Sequence, residues 1–356
     1  MSGLLNQGGF GCIFYPGFNC MGKVNKRGSK FVSKLEMNDF NAKNEIHISS
    51  LIRQIPNYRL YFLPVVASCS ISLAAIDPKY IDKCKIIEKD HDDYLMLELP
   101  YLEHISFATL FADTNRTTRH QFLTFIETFQ YISIAIASLL ERNVVHFDIK
   151  EDNILYSTKF ENPILIDFGL SIPIQQLNES NLSAYFYVYA PNYYLWPIEV
   201  HAINYMIHKG NLTSEVISEL VNNYVIHNAG LLAFSDQFRE RYIKSANEFL
   251  GSYLTMDKTK AITELIEFYK TWDLYALSIM YLKFMRLLFT DGFIKSEFII
   301  AFTELLVQNI CPFPNNRLSV AEIRKRYTDI FYINEKPGDY FTLINNISYK
   351  NFTKTS

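Results

Sequence analysis

The chain has 356 residues, a formal net charge of −3, and 49% hydrophobic against 20% charged residues. This composition excludes a disordered or collagen-like chain and is enough to bury one large core or two ordinary ones. The near-neutral charge argues against a protein that binds nucleic acid through bulk basicity.

The five cysteines, Cys12, Cys20, Cys69, Cys84 and Cys311, are odd in number and make no C-x-x-C pair. Neither a zinc site nor a disulfide framework is therefore expected, and a reducing, cytoplasmic setting is the default. The first residues lack the basic and apolar regions of a secretory leader. The apolar run from Leu274 to Phe289 is broken by Lys283 and Arg286, which speaks against a membrane span.

In chain order, Asn6-Gln7-Gly8-Gly9-Phe10-Gly11-Cys12-Ile13 reads as a glycine-rich hairpin, a backbone able to approach an anion and offer it N–H groups. A turn-rich loop with Lys23, Lys26, Arg27 and Lys30 leads to Phe31-Val32-Ser33-Lys34, where Lys34 ends a strand-like run. Residues 38–55 read as a helix, with Ile48, Leu51, Ile52 and Ile55 at i, i+3, i+4 and i+7. Glu45 falls on the same stripe, where a carboxylate is costly unless paired. The Lys34–Glu45 ion pair is the expectation, with Glu36 as the partner or a solvated Glu45 as the other readings. Residues 60–89 read as strands with an inserted loop around Asp77-Pro78, and 94–101 as a further strand. Thr118-x-x-Gln121 has the form of a capping box. It opens a helix marked by Phe122, Phe125, Ile126, Phe129, Ile132, Ile136, Leu139 and Leu140.

The helix delivers the chain to His146-Phe147-Asp148-Ile149-Lys150-Glu151-Asp152-Asn153, of the form H-x-D-x-K-x-x-N. Asp167-Phe168-Gly169 follows after an apolar stretch. Two carboxylates, an amide and an ammonium are what phosphoryl transfer requires: a group to orient a hydroxyl, ligands for a cation, and positive charge for the moving phosphate. On these motifs the sequence resembles the eukaryotic-type protein kinases, with Lys150 similar to the Ser/Thr-directed branch. The insertions and short loop motifs also look similar to kinases encoded by large nucleocytoplasmic DNA viruses.

The resemblance implies an α+β, bilobal kinase-like fold: a small β-rich lobe over 1–99, a mainly helical lobe over 100–335 with an insertion at about 200–271, and a tail over 336–356. It implies ATP and Mg²⁺ as cofactors. Asp148 would orient the acceptor hydroxyl and Lys150 would contact the γ-phosphate. Asn153 and Asp167 would hold the metal, and Lys34 the α/β-phosphates. Gly8 and Gly11 match two family glycines beside Gly9, Asn6 replaces the first, Phe10 stands at the loop tip, and Ile13 and Val32 cover the adenine. Leu97 would be the gatekeeper, the Glu98 carbonyl would accept from the adenine amino group, and Leu155 would form the floor.

Several departures are visible. Phe147 stands where the family has an Arg that pairs with an activation-segment phosphate, so activation through such a phosphate is not expected. Pro100 lacks the N–H that most relatives offer adenine. Pro197-Ile198-Glu199 matches the family's A-P-E only with one residue interposed, and Ala190-Pro191-Asn192 competes with it. Glu199 is expected to pair with Arg317, and Asp273 to hold the backbone of the catalytic loop. In the insertion, 216–225 and 262–269 read as amphipathic helices, and 320–327 as a last helix. The reading is a Ser/Thr protein kinase with protein substrates, no specific nucleic acid partner and no membrane span. A kinase-fold enzyme acting on small molecules and a non-catalytic scaffold remain as alternatives.

Overall fold

Phe31–Met37 and Tyr94–Pro100 are rich in aromatic and large aliphatic residues, which suit a pleated, half-buried surface. A computed structural model describes residues 3–9, 11–26, 28–88, 92–110, 118–288 and 297–331. It divides the chain into two compact units, residues 1–105 with 155–173, and residues 106–154 with 174–356. The elements begin with β1 (Gly3–Gln7), β2 (Gly11–Tyr15), β3 (Phe31–Met37), α1 (Phe40–Ile52), β4 (Ala67–Ile71), α2 (Pro78–Ile81), β5 (Tyr94–Pro100) and β6 (His104–Ser106). They continue with α3 (Phe107–Leu110), α4 (Thr118–Leu140), β7 (Val144–Val145), β8 (Ile154–Ser157), β9 (Asn162–Leu165), β10 (Ile172–Pro173) and α5 (Leu182–Tyr185). The chain closes with α6 (Ile198–His208), α7 (Ser214–His227), α8 (Asp236–Gly251), α9 (Lys258–Ile266), α10 (Trp272–Leu288), α11 (Glu297–Asn309) and α12 (Val320–Phe331).

In the first unit five antiparallel strands run in the order β1-β2-β3-β5-β4. Period-2 alternation sends Leu35, Tyr94 and Met96 into a core with Cys12, Phe14 and Phe18 on one face. On the other face Val32, Leu95, Leu97 and Leu99 pack with Ala42 and Val65. Lys34 and Glu36 share the parity of Val32. Helix α1 is capped by Asp39, whose carboxylate accepts from the Ala42 N–H at 3.0 Å.

The structure corrects four expectations. Strand β3 continues past Lys34 to Met37, because Leu35 and Met37 still find apolar partners. The insertion before β5 holds one strand and a short helix, α2, capped by Asp77, in place of several strands. In the second unit α9 ends at Ile266, and the chain passes into a 3₁₀ turn over Glu267–Thr271. The largest correction concerns cysteine: Cys12 is disulfide-bonded to Cys84, and Cys20 to Cys69, leaving Cys311 as the free thiol. An odd count and the lack of C-x-x-C exclude only local pairs. The fold brings together cysteines 72 and 49 residues apart in sequence.

The second unit is built on α4 and α10. Phe129 on α4 packs against Tyr281, Phe302 and Tyr327 from three other helices. Leu123–Leu140 is long and apolar enough to cross a membrane by length and composition, yet its Phe125, Ile126, Phe129, Ile132, Ile136 and Leu139 are core residues. The capping-box side chains of Thr118 and Gln121, like the tail from 336, lie outside the described residues. The insertion is part of this core. Tyr224 of α7 and Tyr242 of α8 both hydrogen-bond the Tyr275 phenol of α10. Helices α7, α8 and α9 are each started by a side-chain cap, from Thr213, Ser235 and Asp257.

Candidate active site

In the first unit Lys34 sits on β3 and points with Glu36 toward α1. Its ammonium lies 2.7 Å from Glu45 Oε2, 2.7 Å from Glu36 Oε1 and 3.2 Å from Asp167 Oδ1. The pairs with Glu45 and with Glu36 are thus both present, and Glu45 is buried rather than solvated. Burial works against its charge, but Asp167, Glu36 and Glu45 outweigh it and hold the ammonium well above its ordinary range. Burial pushes Glu36 up to about 8 despite the attraction of Lys34, and raises Glu45 as well. One charged lysine therefore faces three acids, two of which burial pushes toward the protonated form. Glu36 and Glu45 each keep one buried oxygen without a hydrogen bond.

Asp167 is held in the left-handed region, with φ of 66°. A non-glycine residue in that conformation stores strain that its surroundings must hold. Phe168 is fully buried edge-on against Phe62. The Asn44 amide on α1 donates to the carbonyls of Gly169 and Ser171 at 2.9 and 2.8 Å. Asn44 was not anticipated. The signal was there, since a polar residue next to Glu45 on an inward helix face needs partners.

The glycine-rich stretch is a hairpin between β1 and β2, closed by the Gly8 N–H on the Gly11 carbonyl at 2.9 Å. A Cβ on Gly8 or Gly9 would meet nothing, whereas one on Gly11 would meet the Glu36 side chain and the Leu35 carbonyl at about 3 Å. Phe10 lies outside the described residues. Asn6 is exposed on β1, and its side chain accepts from the Gln7 N–H. Ile13 pairs with Lys34 across β2–β3, and Leu97 with Lys34 across β3–β5. Val32 and Leu97 are buried together. The Glu98 carbonyl accepts from the Val66 N–H at 2.8 Å, and Pro100 pairs with Phe31 at the strand end. Leu155 is half-buried on β8.

In the second unit the loop over 146–153 centres on Asp148, which is buried. Its Oδ2 accepts from Lys150 Nζ at 2.7 Å and from the Asn153 amide at 2.8 Å. Asn153 also donates to the Asp148 carbonyl at 2.9 Å. With its NH₂ so engaged, the amide oxygen is the atom left for a hard cation. Asp273, at the start of α10, accepts from the backbone N–H groups of His146 and Phe147 at 2.7 and 2.9 Å. Burial raises its carboxyl, against the pull of His146 and the two amides. Phe147 has φ of 68° and is buried. Farther along, Arg317 grips Glu199 with two parallel bonds of 2.5 and 2.9 Å, both side chains fully enclosed. Lys283 of α10 bonds Glu151, a contact that no motif announced.

Residues 71–264 match the family described as "Protein kinase domain". The match includes Asp148, Asn153 and Asp167 but not Lys34 or Arg317. A "Probable serine/threonine-protein kinase cdc7" of Dictyostelium discoideum is 33% identical over 92 residues, 26% of this chain and 8% of that protein. A "Cell division cycle 7-related protein kinase" of Mus musculus and its Homo sapiens counterpart are each 30% identical over 83 residues, 22% of this chain and 13% of those proteins. The alignments thus span a small part of each relative's length.

Proposed function

From the premise that the chain belongs to the protein kinase domain family, we propose that it transfers the γ-phosphoryl group of ATP to serine or threonine hydroxyls of protein substrates. The observation that carries the Ser/Thr reading is Lys150, two residues after Asp148 and bonded to its carboxylate. The partial similarity to Ser/Thr kinases adds to it.

In this reading Asp148 accepts a hydrogen bond from the acceptor hydroxyl and takes its proton as the oxygen attacks the γ-phosphorus and ADP departs. Lys150 stabilises the charge gathered on the transferred group. Lys34 binds the α/β-phosphates, with Glu45 and Glu36 fixing its direction. Asn153 and Asp167 each offer the hard oxygen donor that Mg²⁺ takes, and a bound ion would neutralise phosphate charge. Among the described residues no group of three His, Cys, Asp or Glu forms a metal centre of its own. A bound nucleotide would supply further oxygens to such an ion.

The test is incubation with γ-labelled ATP, Mg²⁺ and casein or myelin basic protein, beside a panel of small hydroxyl compounds. Label on protein serine or threonine supports the reading; label on small molecules alone moves the chain to the small-molecule branch. We also propose a cytoplasmic place of action, where ATP is abundant. The two disulfides argue the other way, since such bonds persist in oxidising compartments. Fractionation of expressing cells, with thiols blocked at lysis, decides it.

A further inference from the structure

The family's route to an ordered activation segment, a phosphate on an Arg, has no counterpart at Phe147. The ring of Phe147 stacks on Trp196 at 4.8 Å and 24°, and packs against Phe186 and Trp272. The Trp196 Nε1–H donates to the Phe147 carbonyl at 2.7 Å. From the same segment the Tyr193 phenol donates to Asp148 Oδ1 at 2.5 Å, and its ring meets Trp196 edge-on. Burial, then the Asp148 charge, push the phenol far above its ordinary range, so it remains a donor. The Tyr193 carbonyl is itself held, at 3.1 Å, by the buried His201 ring.

We propose that Tyr193 and Trp196 are positioning residues for Asp148: a clamp built into the sequence that holds the catalytic loop without a phosphate. The proposal rests on the kinase reading. Asp148 Oδ2 already takes two donors, from Lys150 and Asn153, so the Tyr193 bond fixes the remaining oxygen and with it the rotation of the carboxylate plane. The Trp196 bond fixes the strained Phe147 peptide immediately before it. Together they set the direction of the acceptor oxygen, which governs rate more than nucleotide binding.

The test uses the full chain with Tyr193→Phe and Trp196→Phe, each keeping its ring and losing one donor. Two measurements are made, steady-state kinetics on casein and amide hydrogen exchange over 146–153. For Tyr193→Phe, kcat should fall about tenfold, as for one lost hydrogen bond to a charged group, with the KM for ATP unchanged. Exchange in the loop should quicken. Trp196→Phe should quicken exchange at Phe147 and Asp148 with a smaller fall in kcat. A kcat that holds or rises in Tyr193→Phe overturns the proposal, a rise meaning that the phenol blocks the acceptor's place. Unchanged loop exchange overturns it too, whether or not the enzyme is active. A wild type that transfers nothing to protein would instead sink the kinase reading.

Discussion

At Lys34 one ammonium is surrounded by three carboxylates; at Asp148 one carboxylate is surrounded by three donors. The first cluster gathers three acids about one cation in a place proposed to receive phosphates. Its balance must therefore change when ligand arrives. Asp167 is the member able to change partners: its contact is the longest, and its side chain is 33% exposed against 1% for Glu45. The second cluster is satisfied as it stands, its backbone pinned by Asp273. In the proposed reading the first region responds to nucleotide and cation, while the second is arranged in advance.

The largest expected effect comes from removing the acid at the centre of the second cluster. Asp148→Asn should lower kcat by about 10²–10⁴-fold while leaving ATP affinity near wild type. Parallel kinetics and nucleotide titration check both halves of that statement. A loss of affinity equal to the loss of rate would mean that the two clusters are not separable as described.

Next comes the Glu199–Arg317 pair, which supports the second unit. Glu199→Gln leaves a buried guanidinium without its counter-charge and should cost about 3–5 kcal/mol. At this chain's size that lowers the melting temperature by roughly four to seven degrees. A shift within two degrees would show that the pair contributes nothing the core does not already supply.

The pH response distinguishes the two regions. The Glu36 carboxyl is near 8 in the folded chain and 4.5 when free. Between those values the native state binds the extra proton, so this group's contribution to stability is full below about 4.5 and falls as pH rises toward 8. Glu36→Gln cannot ionise. Its melting temperature relative to wild type should climb from pH 5 to pH 8 and level off above. A difference that stays constant over that range would mean that Glu36 is ionised throughout. The smallest effect concerns the disulfides. Thiol counting on the unreduced, unfolded chain should find one free thiol, and reduction should lower the melting temperature of the first unit.

How much of this was legible beforehand depends on the range of the interaction. Lys34, Glu45, Asp148, Asn153 and Asp167 are fixed by short motifs and by one helix stripe, each confined to a few residues of chain. Helices α4, α7 and α12 were readable from local sequence for the same reason. The disulfides and the phenol of Tyr193 depend on long-range closure, and the burial of Glu36 depends on where β3 ends. Glu36 reads from sequence only as an alternative to Glu45, since the strand-like run ends at Lys34; in the fold β3 runs on and carries Glu36 inward, so both acids pair with Lys34. Tyr193 lies in an aromatic-rich segment where no spacing sets one tyrosine apart from the next. The Cys12–Cys84 pair spans most of the first unit, and composition cannot see such a distance.

The central claim is tested most directly by following γ-phosphoryl transfer from ATP–Mg²⁺ to casein with wild type, Asp148→Asn and Asp167→Ala side by side, and identifying the modified residues. The account predicts phosphoserine and phosphothreonine with wild type and near-complete loss in both variants. Equal transfer by all three proteins, or none by any of them despite tight ATP binding, would contradict it.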